Sequence, residues 1–177
     1  MRVHGGGKAG RVSVVLNRVW LAAAVGSLVL AGCAATPRPG SGAFSSTQVA
    51  AMEKVGFNKS DRGWEFSVSD RLLFATDRSE VVPGQIAVIG RMARALVGVG
   101  IRHIEVEGHT DGTGGVRYND ALSVKRASAV ADVMVASGIH RDDIRVIGLG
   151  ERYPVETNAT AAGRRENRRV VVLVTAP

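Results

Sequence analysis

Asp111 and Arg126 are the residues of this chain whose types and setting most readily do recognition chemistry. Asp111 stands in Glu107-Gly108-His109-Thr110-Asp111-Gly112-Thr113-Gly114-Gly115, a glycine-rich stretch that follows an alternating apolar run. Backbone N–H groups in such a loop, and at the start of a helix beyond it, favour a bound carboxylate. Arg126 lies in the helical pattern that follows. Set at zero on a wheel of about 100° per residue, it has Ser123, Val130, Val133 and Met134 within about 80° and Leu122 at about 40° on the other flank. Asn119 shares its line, while Lys125 and Asp132 fall on the far side. An arginine inside an apolar stripe needs an anion or an open cleft, because unpaired burial costs several kcal/mol. Asp111, arriving from a neighbouring strand end, is the expected counter-charge. Two chemistries are open at this point. One is a structural ion pair that fixes the loop against the helix. The other is a zwitterion receptor, in which the guanidinium fork takes a carboxylate and the aspartate takes an ammonium.

The elements that must position these groups are visible as periodicities. Trp64, Phe66 and Val68 alternate with Glu65, Ser67 and Ser69 from Gly63 onward, as in a half-buried strand. Pro83 suits a helix start, and Ile86, Ile89, Ala93 and Leu96 continue at helical spacing to Gly98 and Gly100. Residues 101–107 form a second strand, and a second helix runs from about Asn119 to Ser137, stopped by Gly138. Ile144, Val146 and Leu149 mark a third strand; residues 170–174 make a fourth, wholly apolar and therefore central or covered on both faces. The pattern predicts an α/β (α+β) two-layer sandwich with a mixed four-stranded sheet and two main helices. The segment 49–60 reads either as a short helix or as an edge of the domain.

Charge and cysteine usage narrow the functional class. The 177 residues carry a formal net charge of +7, but residues 1–32 hold four of the 23 basic residues and no acid. The remaining 19 bases against 16 acids leave only +3, which removes the main support for nucleic-acid binding. The single cysteine, Cys33, excludes an internal disulfide framework. It closes an apolar run, Trp20 to Gly32, preceded by positive charges and ending in small residues, which is the layout of a secretory signal. Leu30-Ala31-Gly32-Cys33 resembles the bacterial lipobox, which implies cleavage before Cys33 and its lipidation; Ala34 in the following position implies outer-membrane delivery. Residues 34–48 are small, polar and rich in Pro and Gly. The expected division is a signal over 1–32, a lipidated N-terminus and flexible tether over 33–62, and a folded domain over 63–177.

Other chemistries fare poorly. His103, Glu105, Glu107 and His109 alternate, but imidazoles six residues apart on a strand are about 20 Å apart and cannot share a metal ion. No activated Ser or Cys accompanies His109 and Asp111. The glycine-rich loop lacks the lysine of a phosphate-binding loop and the spacing of a dinucleotide site. Arg164-Arg165 and Arg168-Arg169 form a basic cluster, read either as a solvated turn or as a contact with anionic wall polymer or lipid. No cofactor and no metal are expected.

A longer ordered pattern chooses between the two readings of the Asp111–Arg126 pair. Gly108-His109-Thr110-Asp111, Tyr118-Asn119, Leu122-Ser123, Arg126-Ala127, Gly148-Leu149-Gly150-Glu151 with Pro154-Val155, Gly163-Arg164 and Asn167-Arg168-Arg169-Val170 together resemble the OmpA C-terminal family, which includes the peptidoglycan-associated lipoproteins. The resemblance spans residues 64–175. It implies that Asp111 and Arg126 hold the diaminopimelate of a peptidoglycan stem peptide, that Asn119 and Leu122 are further wall contacts, and that Thr76 and Asp77 line the site. Arg168, in the closing motif, is implied to border or brace it. Some members carry an acid directly after the phenylalanine, where this chain has Ala75. The implied function is a non-catalytic tether, lipid-anchored in the outer membrane with its domain in the periplasm. The alternative is a partner-binding lipoprotein of a Tol–Pal-type or secretion assembly, in which wall binding is secondary.

Overall fold

The computed structural model describes residues 43–75 and 78–176. The leader, Cys33, most of the tether, and Thr76 and Asp77 lie outside the described residues. Eleven elements follow in order: α1 (Ser46–Lys54), β1 (Asn58–Ser60), β2 (Gly63–Ser69), α2 (Asp70–Leu73), α3 (Pro83–Gly98), β3 (Ile104–His109), α4 (Val116–Ala136), a 3-10 turn (Arg141–Asp143), β4 (Ile144–Gly150), α5 (Ala161–Asn167) and β5 (Arg169–Val174). No described helix is long and apolar enough to cross a membrane.

The sheet has five strands in the order β1-β2-β5-β3-β4. β5 is antiparallel to both β2 and β3, and β3 is parallel to β4. The apolar run Val170–Val174 is therefore central, as its lack of polar alternation requires. The sheet exceeds the expected four strands by β1, whose three residues are too short and too polar to announce themselves. Residues 46–60, assigned from sequence to the tether, belong to the fold. Ser45 caps α1 with a reciprocal Gln48 box, and Met52 is fully buried against the core. The undecided segment 49–60 thus contains both a helix and an edge strand.

Register explains where the core ends and the site begins. Trp64, Val174 and Ile104 stand side by side across β2, β5 and β3; Phe66, Val172 and Val106 form the next row, and Val68, Val170 and Gly108 the third. These rows, with α3 and α4, enclose the hydrophobic core. On the opposite face stand Glu65, Leu173 and Glu105, then Ser67, Val171 and Glu107, then Ser69, Arg169 and His109. Arg62 donates to Glu107 at 2.6 Å on that face. Burial pushes the Glu107 carboxyl up, but the nearby His109 imidazole, 3.6 Å away, and the Arg62 guanidinium outweigh it and hold it at about 2. His109 is sealed, and that burial pushes its imidazole down, toward the neutral form.

α4 can lie against β3 and β4 because Gly108 and Gly148 carry no side chain. A Cβ on Gly108 would strike the Ser123 carbonyl, and one on Gly148 would strike Val124 and Ser123 Oγ. Ser123 Oγ in turn accepts the Gly150 N–H at 3.1 Å. α4 begins at Val116, three residues ahead of the expected start, with Gly115 as its N-cap. β3 begins at Ile104 rather than Ile101. Ile101 N–H still bonds back to Leu96 of α3, and His103 has a left-handed φ of 64° that interrupts any strand.

Candidate functional site

Stepping two residues beyond the last apolar row on each strand brings Asp70 from β2, Arg168 before β5, and Thr110 after β3. The inward face of the sheet thus changes from Val68 and Val170 to a facing acid and base within one repeat. The Asp70 N–H also bonds to the Arg168 carbonyl at 3.0 Å, fixing the two against each other. An open cleft of about 780 Å³ forms at this end, between the strand ends, α2 and the first half of α4. Asp111, Asn119, Leu122, Arg126 and Arg168 all line it, together with Asp70, Arg71, Phe74, Ala75, Thr110, Thr113 and Tyr118. Thr76 and Asp77, expected at the same site, are outside the described residues.

The ion pairing differs from the expectation. Arg126 is paired with Asp70, not Asp111: its Nη1 lies 3.3 Å from Asp70 Oδ2. Its guanidinium also stands 5.4 Å from the centre of the Phe74 ring. Asp111 is instead engaged by Arg168, whose Nη1 is 2.5 Å from Oδ2. Arg168 Nε reaches Asp70 Oδ2 at 3.2 Å, so four charges alternate as Arg126, Asp70, Arg168, Asp111. The reason is topological. β5 lies between β2 and β3, so Arg168 is placed between the acids carried by the two flanking strands, while Arg126 comes down from α4 beside α2.

Each acid feels this arrangement differently. Burial pushes the Asp111 carboxyl up, but the Thr113 N–H and the Arg168 guanidinium more than offset that and leave it below the ordinary range. Thr113 N–H donates to its Oδ1 at 2.9 Å in a local loop closed by Gly114 at a φ of +97°. Asp70 moves the other way. Burial raises its carboxyl, and Arg126 and Arg168 only partly pull it back. Its Oδ1 has no hydrogen-bond partner, and neither do Nε and Nη1 of Arg126.

Asn119 has a bracing duty beside its place in the cleft. Its buried amide donates to the Asp111 carbonyl at 3.3 Å and to Glu151 Oε2 at 2.6 Å, tying α4 to the Asp111 loop and to the end of β4. Leu122, half-buried, supplies apolar wall. A second layer of support comes from Asn167, which no sequence signal singled out for this role. It is fully buried, its Oδ1 accepts the N–H groups of Val155 and Glu156 at 2.9 Å, and its amide donates to the Glu156 carbonyl and to Asn158 Oδ1. Asn158 Oδ1 also accepts the Gly112 N–H at 3.1 Å, so the chain of bonds ends beside Asp111.

Asp70 is the cleft residue that the reading of the sequence missed. The signal was present: it continues the even-numbered line of Trp64, Phe66 and Val68, and an acid on an inward-facing line must meet cations. Among the described residues no group of three or more His, Cys, Asp or Glu side chains could hold a metal ion.

The arrangement can take a small ligand with both charges, an acidic group toward Arg126 and a cationic one toward Asp111. Comparison with known proteins gives the chain a family. The outer-membrane lipoprotein YfiB of Pseudomonas aeruginosa is 43% identical over 158 residues, covering 88% of this chain and 93% of that protein. A peptidoglycan-associated lipoprotein of Mesorhizobium japonicum is 30% identical over 162 residues, covering 92% of this chain and 95% of that one. Among solved structures, the cell wall anchor of the T6SS from Pseudomonas aeruginosa superposes with a TM-score of 0.62 at 30% identity, over 73% of this chain and 95% of that one. Residues 73–168, which run from the end of α2 to the Asp111 partner Arg168, match the OmpA family. The chain belongs to that family.

Proposed function

We propose that this protein is a non-catalytic outer-membrane lipoprotein that binds peptidoglycan and tethers the membrane to the wall. The cleft takes the free zwitterionic end of a diaminopimelate side chain in the stem peptide, its carboxylate on Arg126 and its ammonium on Asp111. The observation that carries this reading is that both residues, on separate elements, line one open cleft beside Asn119 and Leu122. The kinship with a peptidoglycan-associated lipoprotein and with a cell wall anchor supports the same partner. In this reading residues 1–32 are a signal, Cys33 carries lipid, and the segment up to Ser45 is the tether. Acyl chains contribute about 0.8 kcal/mol per buried methylene, so several chains hold the domain at a membrane. Many weak grips along one polymer then add by avidity.

Sedimentation with purified sacculi tests the site. Wild type should pellet with the wall, whereas Arg126→Ala or Asp111→Ala should stay in the supernatant, with affinity down by about 30-fold or more. Both variants should keep their far-UV circular dichroism, because Arg168 continues to serve whichever acids remain. Undiminished sedimentation of both would remove the site assignment, and release of soluble muropeptides by wild type would make the protein an enzyme. The anchor is tested separately by metabolic labelling with a fatty acid, which Cys33→Ser should abolish. Labelling that survives the substitution would refute lipidation at Cys33.

A further inference from the structure

Asp70 is the acid at the base of the cleft for which the proposed ligand offers no partner. The ligand carboxylate goes to Arg126, its ammonium to Asp111, and Arg168 already holds Asp111. Asp70 shares a single oxygen between Arg126 and Arg168, at 3.3 and 3.2 Å, while its other oxygen is buried without a hydrogen bond. Any carboxylate that reaches Arg126 therefore comes close to a second, fixed negative charge. In a partly buried cleft that repulsion is felt far more strongly than in water. Arg71 on the rim is exposed, and solvent screens its charge. The four charges of the Arg126, Asp70, Arg168, Asp111 row, two acids and two bases, are already balanced. A ligand that adds a lone carboxylate upsets the balance; a zwitterion does not.

Resting on the wall-binding reading above, we propose that Asp70 is the residue that makes the cleft selective for a zwitterionic ligand end over a simple carboxylate. It acts through Arg126, as an internal anion that the incoming carboxylate must tolerate, and only a ligand carrying its own ammonium offsets the added charge at Asp111. The upward push on the Asp70 carboxyl fits this picture, since burial already makes its charge costly there.

The test uses two soluble tripeptides, L-alanyl-γ-D-glutamyl-meso-diaminopimelate and the same peptide ending in 2-aminopimelate, which keeps the distal carboxylate and lacks its ammonium. Isothermal titration of the full chain should give a preference of about tenfold or more for the first. In Asp70→Asn the preference should narrow at least fivefold, mainly through tighter binding of the aminopimelate peptide, and Asp70→Glu should keep it wide. Asp70→Ser is the substitute should the amide pack badly. A merely structural role would lower the melting temperature and weaken both peptides alike, leaving the ratio unchanged; that result overturns the assignment while leaving the wall-binding reading intact. If wild type binds neither peptide, the wall-binding reading falls and this one with it.

Discussion

Gly108→Ala is expected to lower the melting temperature of the domain by roughly 10 °C or more, the largest effect of a single added methyl group. Gly108 lies in β3 under α4, where the new Cβ would run into the Ser123 carbonyl, and also into Ser123 carbonyl carbon and Cα. Overpacking a core usually costs about 1–3 kcal/mol because flexible side chains yield. Here the obstacle is helix backbone, which yields only if α4 lifts away. Lifting is opposed by the second close approach at Gly148 and by the Ser123–Gly150 bond. The cost should exceed about 3 kcal/mol, a large share of the 5–15 kcal/mol typical of a folded domain. Thermal unfolding followed by circular dichroism measures it. A midpoint within about 2 °C of wild type would mean that the helix is not seated as closely as described.

Asn167→Ala is expected to act at a distance from the cleft. The substitution strips the Val155 and Glu156 N–H groups of their acceptor, and the Glu156 carbonyl and Asn158 of their donor. Bonds of this kind contribute about 1 kcal/mol each on net, more where a group is left unsatisfied, so a loss of about 2–4 kcal/mol follows. Because Asn158 also anchors the Gly112 amide, loosening it frees the loop that presents Asp111, and affinity for sacculi should fall by about tenfold. Hydrogen exchange at Val155 and Glu156 should accelerate in the same variant. Unchanged exchange with unchanged sedimentation would show that the 155–158 segment is held by something else.

Much of this architecture was legible in the residues. The alternation of Trp64, Phe66 and Val68 gave β2, the helical spacing after Pro83 gave α3, and the unbroken apolar run at 170–174 marked the strand at the centre of the sheet. Arg126 was correctly placed on the buried side of α4, where it is 8% exposed. What periodicity could not supply was the pairing of charges. Whether Arg126 meets Asp70 or Asp111 depends on which strands are neighbours, and strand order is a long-range property with no local signature. α1 stays undecided in the sequence, and α5 escapes it, for a different reason. α1 buries only Met52 and α5 only Gly163 and Asn167, so neither has an apolar stripe long enough to read. The same holds for β1, which is held by pairing with β2 rather than by burying a face of its own.

The place of β5 has a consequence for how binding competence arises. The most C-terminal of the described strands slots between two strands that precede it by many residues, and the Asp70–Arg168 contact joins positions 98 apart. Until β5 is in place nothing in the sheet joins β2 to β3, and Arg168 does not yet stand between Asp70 and Asp111. Such high-order closure is slow compared with helix formation. The cleft that brings Arg126, Asp70, Arg168 and Asp111 together is thus completed only when β5 pairs with both of its neighbours.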